Sequence, residues 1–217
     1  MKINQIEKKE QLSKTIIEIG AFDNNYFEQY KVDLPPDTKY ESVDVKYEFL
    51  PSTEDKNSKI IPLDDESINE VVLSNVLSDM AQTTTIPQIQ LYEFKKQILA
   101  SHTGAFKDKE EEFNYIRSEI AYYQKIRTIE DVIRVLKKDG YMVIYENYRQ
   151  FHPNAVSKVL KWLKDNPKLE FTEDIKEENR IQPIFNREQE NGNFSRKFNK
   201  VYKIRKLVSS SSLHSPY

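Results

Sequence analysis

Three side chains that can take up a proton, Glu146, Tyr148 and His152, lie in or just after the apolar run "YMVIYENY". Such groups act as general bases when they come within hydrogen-bond distance of a reacting group. Ligands of open parallel sheets bind outside the carboxyl ends of the strands, so residues that follow a buried strand lie on the active-site side. Each of the three also has a plain structural interpretation, Glu146 and Tyr148 as loop residues and "FHP" around His152 as a turn.

Acidic, amide and hydroxyl side chains mark the ends of three earlier apolar runs. Glu18 lies in "TIIEIG", Asp44 in "SVDV", and Ser74 and Asn75 follow "EVVL". Taken singly, each is better explained without a ligand: Glu18 as a carboxylate paired with a lysine, Asp44 as a turn residue, and Asn75 as a helix cap. Taken together, at the carboxyl edge of one parallel sheet, they would form a polar binding site.

The strands and helices that must position these residues alternate along the chain. Apolar, β-branched runs predict strands at residues 15–20, 40–45, 59–63, 68–77, 141–148, 168–175 and 198–208. Helical spacing predicts helices at residues 88–104, 107–126, 128–140 and 154–167. This order predicts an α/β fold with a mostly parallel, Rossmann-like sheet, helices on both faces and an antiparallel C-terminal strand pair.

The segment "TIEDVIRVLKKDG" has the strongest helical signals. Thr128 is a suitable N-cap, Lys137 and Lys138 suit a last turn, and Gly140 suits a C-terminal stop. We therefore expect a separate helix from Thr128 to Gly140 and assign Gly140 no chemistry.

The length of 217 residues suits one domain, which we expect to span residues 1–208, with a helical insertion or lid at about residues 78–127. The serine-rich residues 209–217 are expected to form a disordered tail. Aromatic side chains in the insertion would either line an acceptor pocket or form the buried faces of two helices. They are Tyr92, Phe94, Phe113, Tyr115, Tyr122 and Tyr123.

The overall charge disfavours a nucleic-acid partner. The formal net charge is -2, so no global field attracts a polyanion. The basic residues in 196–206 are explained first as lysines guarding an edge strand and second as an anion or RNA patch. No apolar run approaches the length of a membrane span and the chain starts without a secretory segment, so we expect a cytoplasmic protein without a membrane partner.

Several reaction classes lack their residues. The chain has no cysteine, so thiol nucleophiles and thiolate metal sites are excluded. Its three histidines, His102, His152 and His214, are scattered, and we predict no metal site. His102 is expected to be a surface residue. Neither a phosphate-binding "GxxxxGK[ST]" loop nor a "GxSxG" nucleophile motif occurs.

Four segments in sequence order resemble the class I methyltransferases that use S-adenosylmethionine. They are "IIEIGAFDNN", "SVDV", "IPLDDESINEVVLSNVL" and "VIRVLKKDGYMVIYE", and they extend from about residue 15 to residue 146. Asn69-Glu70 stands where the family tends to have Phe-Asp or Tyr-Asp. Lys138-Asp139-Gly140 stands for Pro-Gly-Gly.

The resemblance implies S-adenosylmethionine as the cofactor and assigns roles to residues at the first two strand ends. Glu18 matches the acidic residue that holds the amino group of the methionine moiety. Gly20 and Ala21 keep the small side chains that let the backbone approach the cofactor. Asp44 matches the acidic residue that accepts hydrogen bonds from the two ribose hydroxyls.

Further positions follow from the same resemblance. Asn57 or Ser58 falls near the position that reads the adenine edge. Ser74 and Asn75 lie beside the expected methyl-donor sulfur. Methyl transfer itself needs positioning, desolvation and in some cases a base, for which Glu146, Tyr148 and His152 are the candidates.

The first loop departs from the family pattern. Phe22 stands where a second glycine is common, and Asn25 where a third occurs. Asparagine tolerates positive φ better than other non-glycine residues, so Asn24 or Asn25 can still make the turn. If Phe22 points into the core, the pocket is open; if Phe22 fills the pocket, the fold no longer transfers methyl groups.

Three functions follow from these observations. The first is a methyltransferase whose acceptor is a small molecule in preference to a protein, with RNA last. The second is an inactive methyltransferase-like binding or scaffold protein, with the inserted helices as a partner or homodimer surface. The third is a different nucleotide-binding doubly wound domain, such as a nicotinamide oxidoreductase, which predicts a full glycine fingerprint after the first strand; that fingerprint is missing.

Overall fold

The structure is a computed structural model that describes residues 14–19, 38–43, 60–74, 76–77, 86–146, 153–173 and 200–208. Its strands are β1 (Lys14–Ile19), β2 (Thr38–Val43), β3 (Ile68–Ser74), β4 (Leu136–Glu146), β5 (Leu169–Glu173) and β6 (Lys200–Lys206). Its helices are α1 (Gln88–Ser101), α2 (Lys109–Val135) and α3 (Pro153–Asp165). Within the described residues, no helix is both long enough and apolar enough to cross a bilayer.

The six strands form one sheet in the order β2-β1-β3-β4-β6-β5. Strands β2, β1, β3 and β4 are parallel neighbours, whereas β6 is antiparallel to both β4 and β5. The prediction of a mostly parallel α/β sheet with an antiparallel C-terminal pair is therefore confirmed. Because β1 pairs with β2 on one side and β3 on the other, the strand order reverses between β1 and β3.

The main hydrophobic core lies on one face of this sheet. It contains Ile17 and Ile19 of β1 together with residues of the second half of α2 and of α3, such as Val132 and Val159. Strand residues alternate between the two faces, so Glu18 lies on the opposite face, and it is fully buried as well.

The helix predicted to start at Thr128 is instead the second half of α2. Thr128 is buried within α2 and donates from Oγ1 to the carbonyl oxygen of Gln124, 3.0 Å away, so it is not an N-cap. The actual N-cap is Asp108, whose Oδ1 accepts from the backbone N–H of Glu111 at 2.8 Å. The boundary that we expected near residue 127 was wrong, because local capping signals do not stop a helix whose apolar face continues into the core.

Gly140 lies inside β4 and does not end a helix. The helix stops at Val135, and the chain enters β4 at Leu136. A Cβ atom at Gly140 would lie 2.9 Å from the carbonyl oxygen of Lys137 and 3.0 Å from that of Asn69. Glycine is required here because the backbones of β3 and β4 approach closely next to a register shift in their pairing.

Two strand predictions were also wrong. Residues 60–63, the described part of the predicted strand 59–63, form bends without strand pairing. Strand β6, expected at a sheet edge, lies between β4 and β5, and β5 is the outermost strand. The lysines of β6 therefore do not guard an edge, and their partners are described below.

Candidate functional site

The carboxyl ends of the four parallel strands lie along one edge of the sheet. β1 ends at Ile19, β2 at Val43, β3 at Ser74 and β4 at Glu146. Every candidate residue that follows one of these strands directly therefore starts from the same edge. The reversal of strand order between β1 and β3 makes the middle of this edge the crevice where open α/β sheets bind their ligands.

Glu18 is buried at this edge, one residue before the end of β1. It pairs in register with Ser42 of β2 and Val72 of β3, so it lies at the point where the strand order reverses. Its side chain is 0% exposed. A buried carboxylate requires a positive or hydrogen-bond-donating partner. A carboxylate is the type of side chain that pairs with an ammonium group.

Ser74 and Glu146 lie at the ends of the next two strands. Ser74 pairs in register with Tyr145, so Glu146 is one residue further along the same edge. The Oε1 atom of Glu146 accepts a hydrogen bond of 2.7 Å from the backbone N–H of Leu77, and the side chain is 1% exposed. The structure thus holds Glu146 in the fold, rather than on an exposed loop, and ties it to the chain segment that follows β3.

The other predicted site residues lie outside the described part of the chain. They are Gly20, Ala21, Phe22, Asn24, Asn25, Asp44, Asn57, Ser58, Asn75, Tyr148 and His152. Their assignments, and the orientation of Phe22, stay predictions. What the fold adds is the place where β1, β2, β3 and β4 end, directly before several of these residues.

A cluster of charged side chains lies at the opposite, amino edge of the sheet. Asp131 of α2 is 6% exposed, and its Oδ2 accepts from the backbone N–H of Ile61 at 2.5 Å. Arg134 donates to Asp131 at 2.6 Å and to Asp65 at 2.7 Å. It also donates to the carbonyl oxygens of Ile61 at 2.9 Å and Leu63 at 2.8 Å. These bonds fasten the segment that precedes β3 to the end of α2.

This arrangement sets the charge state of Arg134. Burial alone would lower the pKa of Arg134, but Asp131 and Asp65 outweigh it and raise the pKa above the ordinary arginine value. The guanidinium therefore stays charged. Sequence reasoning missed this pair, although Asp131 and Arg134 are three residues apart on one helix, a spacing that brings side chains together.

A second charged cluster lies on the second face of the sheet near the same edge. Glu70 is fully buried and forms an ion pair with Lys14, whose side chain is 40% exposed. The hydroxyl of Tyr141 donates to Glu70 at 2.7 Å, and Lys14 donates to that hydroxyl at 3.1 Å. Burial, followed by the negative charge of Glu70, raises the pKa of Tyr141.

The basic side chains of β6 are paired with acidic groups or an aromatic ring. Lys200 bonds to Glu173 at 2.6 Å, and Arg205 bonds to Asp139 at 3.0 Å. The Nζ of Lys203 lies 4.5 Å from the centre of the Tyr141 ring. Lys206 is buried and donates to the carbonyl oxygen of Leu136 at 2.7 Å; burial lowers its pKa, an effect that Glu66 partly offsets. Pairing leaves these four side chains poorly suited to an anion or RNA patch.

The aromatic side chains of the helical segment divide into two groups. Phe94, Tyr115 and Tyr123 pack against a second apolar cluster between α1 and α2. Tyr92 is 58% and Phe113 55% exposed. The buried-face interpretation therefore holds for the first group. His102 stacks on Phe106 with ring centres 4.1 Å apart, so it belongs to the packing of the turn between the helices.

A groove of about 820 Å³ lies between the first half of α2 and the start of α3. Its polar lining includes the ion pair of Lys158 with Glu119, and it contains none of the predicted cofactor residues. In the described part of the chain, no group of three or more acidic or histidine side chains is placed to hold a metal ion.

Comparison with known proteins gives distant structural likenesses. No family model matches the sequence, and no curated protein matches it significantly. A loganic acid methyltransferase structure with SAH is 14% identical, with 93% of this chain and 75% of that chain covered and a TM-score of 0.41. A Haloferax volcanii protein in complex with the Trm112 methyltransferase activator is 11% identical, with coverages of 90% and 83% and a TM-score of 0.39.

A third structure, the YcgJ protein from Bacillus subtilis, is 11% identical, with 91% of this chain and 93% of that chain covered and a TM-score of 0.33. All three scores lie below 0.5. The function proposed below therefore rests on the sheet and its carboxyl edge, not on these likenesses.

Proposed function

We propose that the protein is an S-adenosylmethionine-dependent methyltransferase that binds its cofactor at the carboxyl edge of the sheet. The observation that supports this most is the fully buried Glu18, which lies at the point where the strand order reverses between β1 and β3. The sequence places Gly20 and Ala21 two and three residues further on, and Asp44 directly after β2.

The polar groups at this edge suit the proposed cofactor. S-adenosylmethionine offers an ammonium group, two ribose hydroxyls, an adenine edge and a methyl group on a positively charged sulfur. In the proposal, the Glu18 carboxylate accepts from the ammonium group, and Asp44 accepts from the ribose hydroxyls. Asn57 or Ser58 contacts the adenine, and Ser74 and Asn75 lie beside the sulfur.

We propose further that the methyl acceptor is a small molecule and that the protein is cytoplasmic. Tyr148 and His152 follow β4 in the sequence and are the residues to test as bases. Glu146, the third candidate, is already bonded to the N–H of Leu77.

Thermal unfolding with added ligand tests the proposal directly. S-adenosylmethionine or S-adenosylhomocysteine at a hundred times its dissociation constant adds about 2.7 kcal/mol to the free energy of unfolding of a protein that binds it. NADH serves as the matched control, because the nicotinamide oxidoreductase hypothesis predicts stabilisation by that ligand. The proposal would be contradicted if NADH alone stabilised the protein, or if none of the ligands did so at millimolar concentration.

A second candidate is a binding protein that keeps the fold without the activity. It is favoured by exposed apolar side chains on the helical segment, with Ile89 73% and Tyr92 58% exposed on α1. It predicts a homodimer or a stable complex that forms without cofactor. Wild type and Asp44→Ala separate the two candidates. By light scattering, a scaffold keeps its partner in the variant. In thermal unfolding, a scaffold shows no ligand-dependent stabilisation in either form.

A further inference from the structure

We propose that Glu146 is a positioning residue, which holds the chain after β3 in place at the carboxyl edge and takes no proton from the acceptor. The inference rests on the function proposed above, because it concerns the residues beside the proposed cofactor site. It gives Glu146, one of the three candidate bases, a structural role instead.

The first support is the placement of Glu146 on a rigid element. Glu146 is the last residue of β4, and it pairs with Lys200 on β6. On its other side, Tyr145 pairs with Ser74 at the end of β3. The carboxyl group therefore starts from a strand that is held by neighbours on both sides, which favours a fixed position.

The second support is the hydrogen bond to the chain that leaves β3. Leu77 is three positions after Ser74, and its backbone N–H donates to Glu146 Oε1 at 2.7 Å. Leu77 is fully buried and belongs to the main core. The bond and the buried Leu77 side chain together fix the chain two residues after the sequence position of Asn75, which is proposed to lie beside the methyl-donor sulfur.

The third support is the burial of the carboxylate. Glu146 is 1% exposed and already accepts a backbone hydrogen bond. A general base has to reach the proton that it removes, whereas Oε1 of Glu146 is held by the backbone N–H of Leu77 and the side chain is turned away from solvent. A buried acceptor that fixes a turn, by contrast, needs the geometry that is observed here.

Two conservative variants separate the roles. Glu146→Gln keeps an acceptor oxygen at the same reach and removes the charge. Glu146→Asp keeps the charge and withdraws the oxygen by one methylene. The two measurements are the exchange rate of the Leu77 amide hydrogen and the dissociation constant for S-adenosylhomocysteine by calorimetry, neither of which requires knowledge of the acceptor.

A positioning role predicts that the oxygen's place matters more than its charge. Glu146→Gln should keep the protection of the Leu77 amide and change the dissociation constant by less than about threefold, whereas Glu146→Asp should lose that protection and bind about tenfold more weakly. Glu70→Gln, at another fully buried glutamate, is the matched control. It should leave both the protection of the Leu77 amide and the dissociation constant unchanged.

The opposite order of effects would overturn the proposal. If Glu146→Gln weakens binding as much as Glu146→Asp, the charge itself is needed at the site. If Glu146→Asp leaves the exchange of the Leu77 amide unchanged, the bond does not hold the turn. Should the wild type bind no S-adenosylhomocysteine, the proposed function fails, and the exchange of Leu77 alone still decides whether Glu146 holds the turn.

Discussion

The two edges of the sheet use buried charge in different ways. At the amino edge, Arg134 fastens α2 to the segment before β3 through Asp131 and Asp65, and Lys14 fastens β1 to β3 through Glu70. At the carboxyl edge, Glu18 and Glu146 lie at strand ends directly before the residues proposed to bind a cofactor. The comparison separates side chains that hold the sheet together from side chains at strand ends that adjoin the proposed cofactor site.

This separation makes a general prediction. Changes at the amino edge should lower stability and leave ligand affinity in the folded protein unchanged. Changes in the residues that follow the carboxyl edge should weaken ligand binding and leave stability unchanged. The four variants below run from the largest expected change in the free energy of unfolding to the smallest.

Arg134→Ala should have the largest effect. It leaves Asp131 buried at 6% exposure without its cationic partner, and it removes the bonds to Ile61, Leu63 and Asp65. We expect a loss of about 3–5 kcal/mol in the free energy of unfolding, measured by urea denaturation. Lys161→Ala is the control, because Lys161 forms an exposed helical pair with Asp165 that should contribute no more than about 0.5 kcal/mol. Equal losses in the two variants would contradict the account.

Gly140→Ala should come second. The new Cβ would meet backbone oxygens at 2.9 and 3.0 Å, which cannot move without shifting β3 against β4. We expect a loss of about 2–3 kcal/mol in thermal or urea unfolding, as for other overpacked sites. A neutral result would mean that the close approach of the two strands relaxes freely.

Lys14→Met should have a smaller effect. Glu70 keeps its bond from Tyr141, and the Lys14 side chain is 40% exposed, so solvent screens the pair. We expect a loss of about 1–2 kcal/mol. Lys39→Met, which breaks the exposed pair with Glu41 on β2, is the control and should cost less. The order of these two variants is the result that matters.

The same pair has a defined pH dependence. Burial alone would lower the pKa of Lys14, but Glu70 and Tyr141 outweigh it and raise the pKa above 10.5. A lysine whose pKa is raised on folding stabilises the folded state below its unfolded pKa, and the stabilisation is lost as the pH rises through the folded value. The difference in unfolding free energy between wild type and Lys14→Met should therefore stay constant around neutral pH and shrink only above 10.5. A difference that shrinks near neutral pH would contradict the pairing.

Features that depend on local sequence patterns could be predicted from the sequence, whereas features that depend on contacts between distant residues could not. The runs that became β1, β3 and α3 were recognised because burial imposes a local pattern of apolar residues. The boundary at Thr128 and the role of Gly140 were missed because both depend on contacts distant in sequence, with the core and with β3. The position of β6 inside the sheet was missed for the same reason, since strand order is a tertiary property.

The candidate site divides in the same way. The sequence analysis placed Glu18, Ser74 and Glu146 at strand ends, and the parallel pairing puts these three strand positions along one edge of the sheet. The bond between Glu146 and the N–H of Leu77 joins residues 69 positions apart and has no local signal. Roles that depend on a loop conformation, such as that of Phe22, stay predictions.

Asp44→Ala should change stability least and ligand affinity most. Asp44 directly follows β2 at the carboxyl edge, whereas Asp37 directly precedes β2 at the amino edge, so Asp37→Ala is the matched control. We expect Asp44→Ala to change the free energy of unfolding by less than about 0.5 kcal/mol. It should weaken binding of S-adenosylhomocysteine at least about tenfold, as expected for the loss of a charge-assisted hydrogen bond. Equal affinities in the two aspartate variants would remove Asp44 from the site.

The most direct test of the central claim is a calorimetric titration of the wild-type protein with S-adenosylhomocysteine. If the carboxyl edge is a cofactor site, the titration should show saturable binding of one ligand per chain, and the same affinity should be found in folded Lys14→Met protein. The absence of binding at millimolar ligand would contradict the claim, and the carboxyl edge would then belong to a fold that does not use this cofactor.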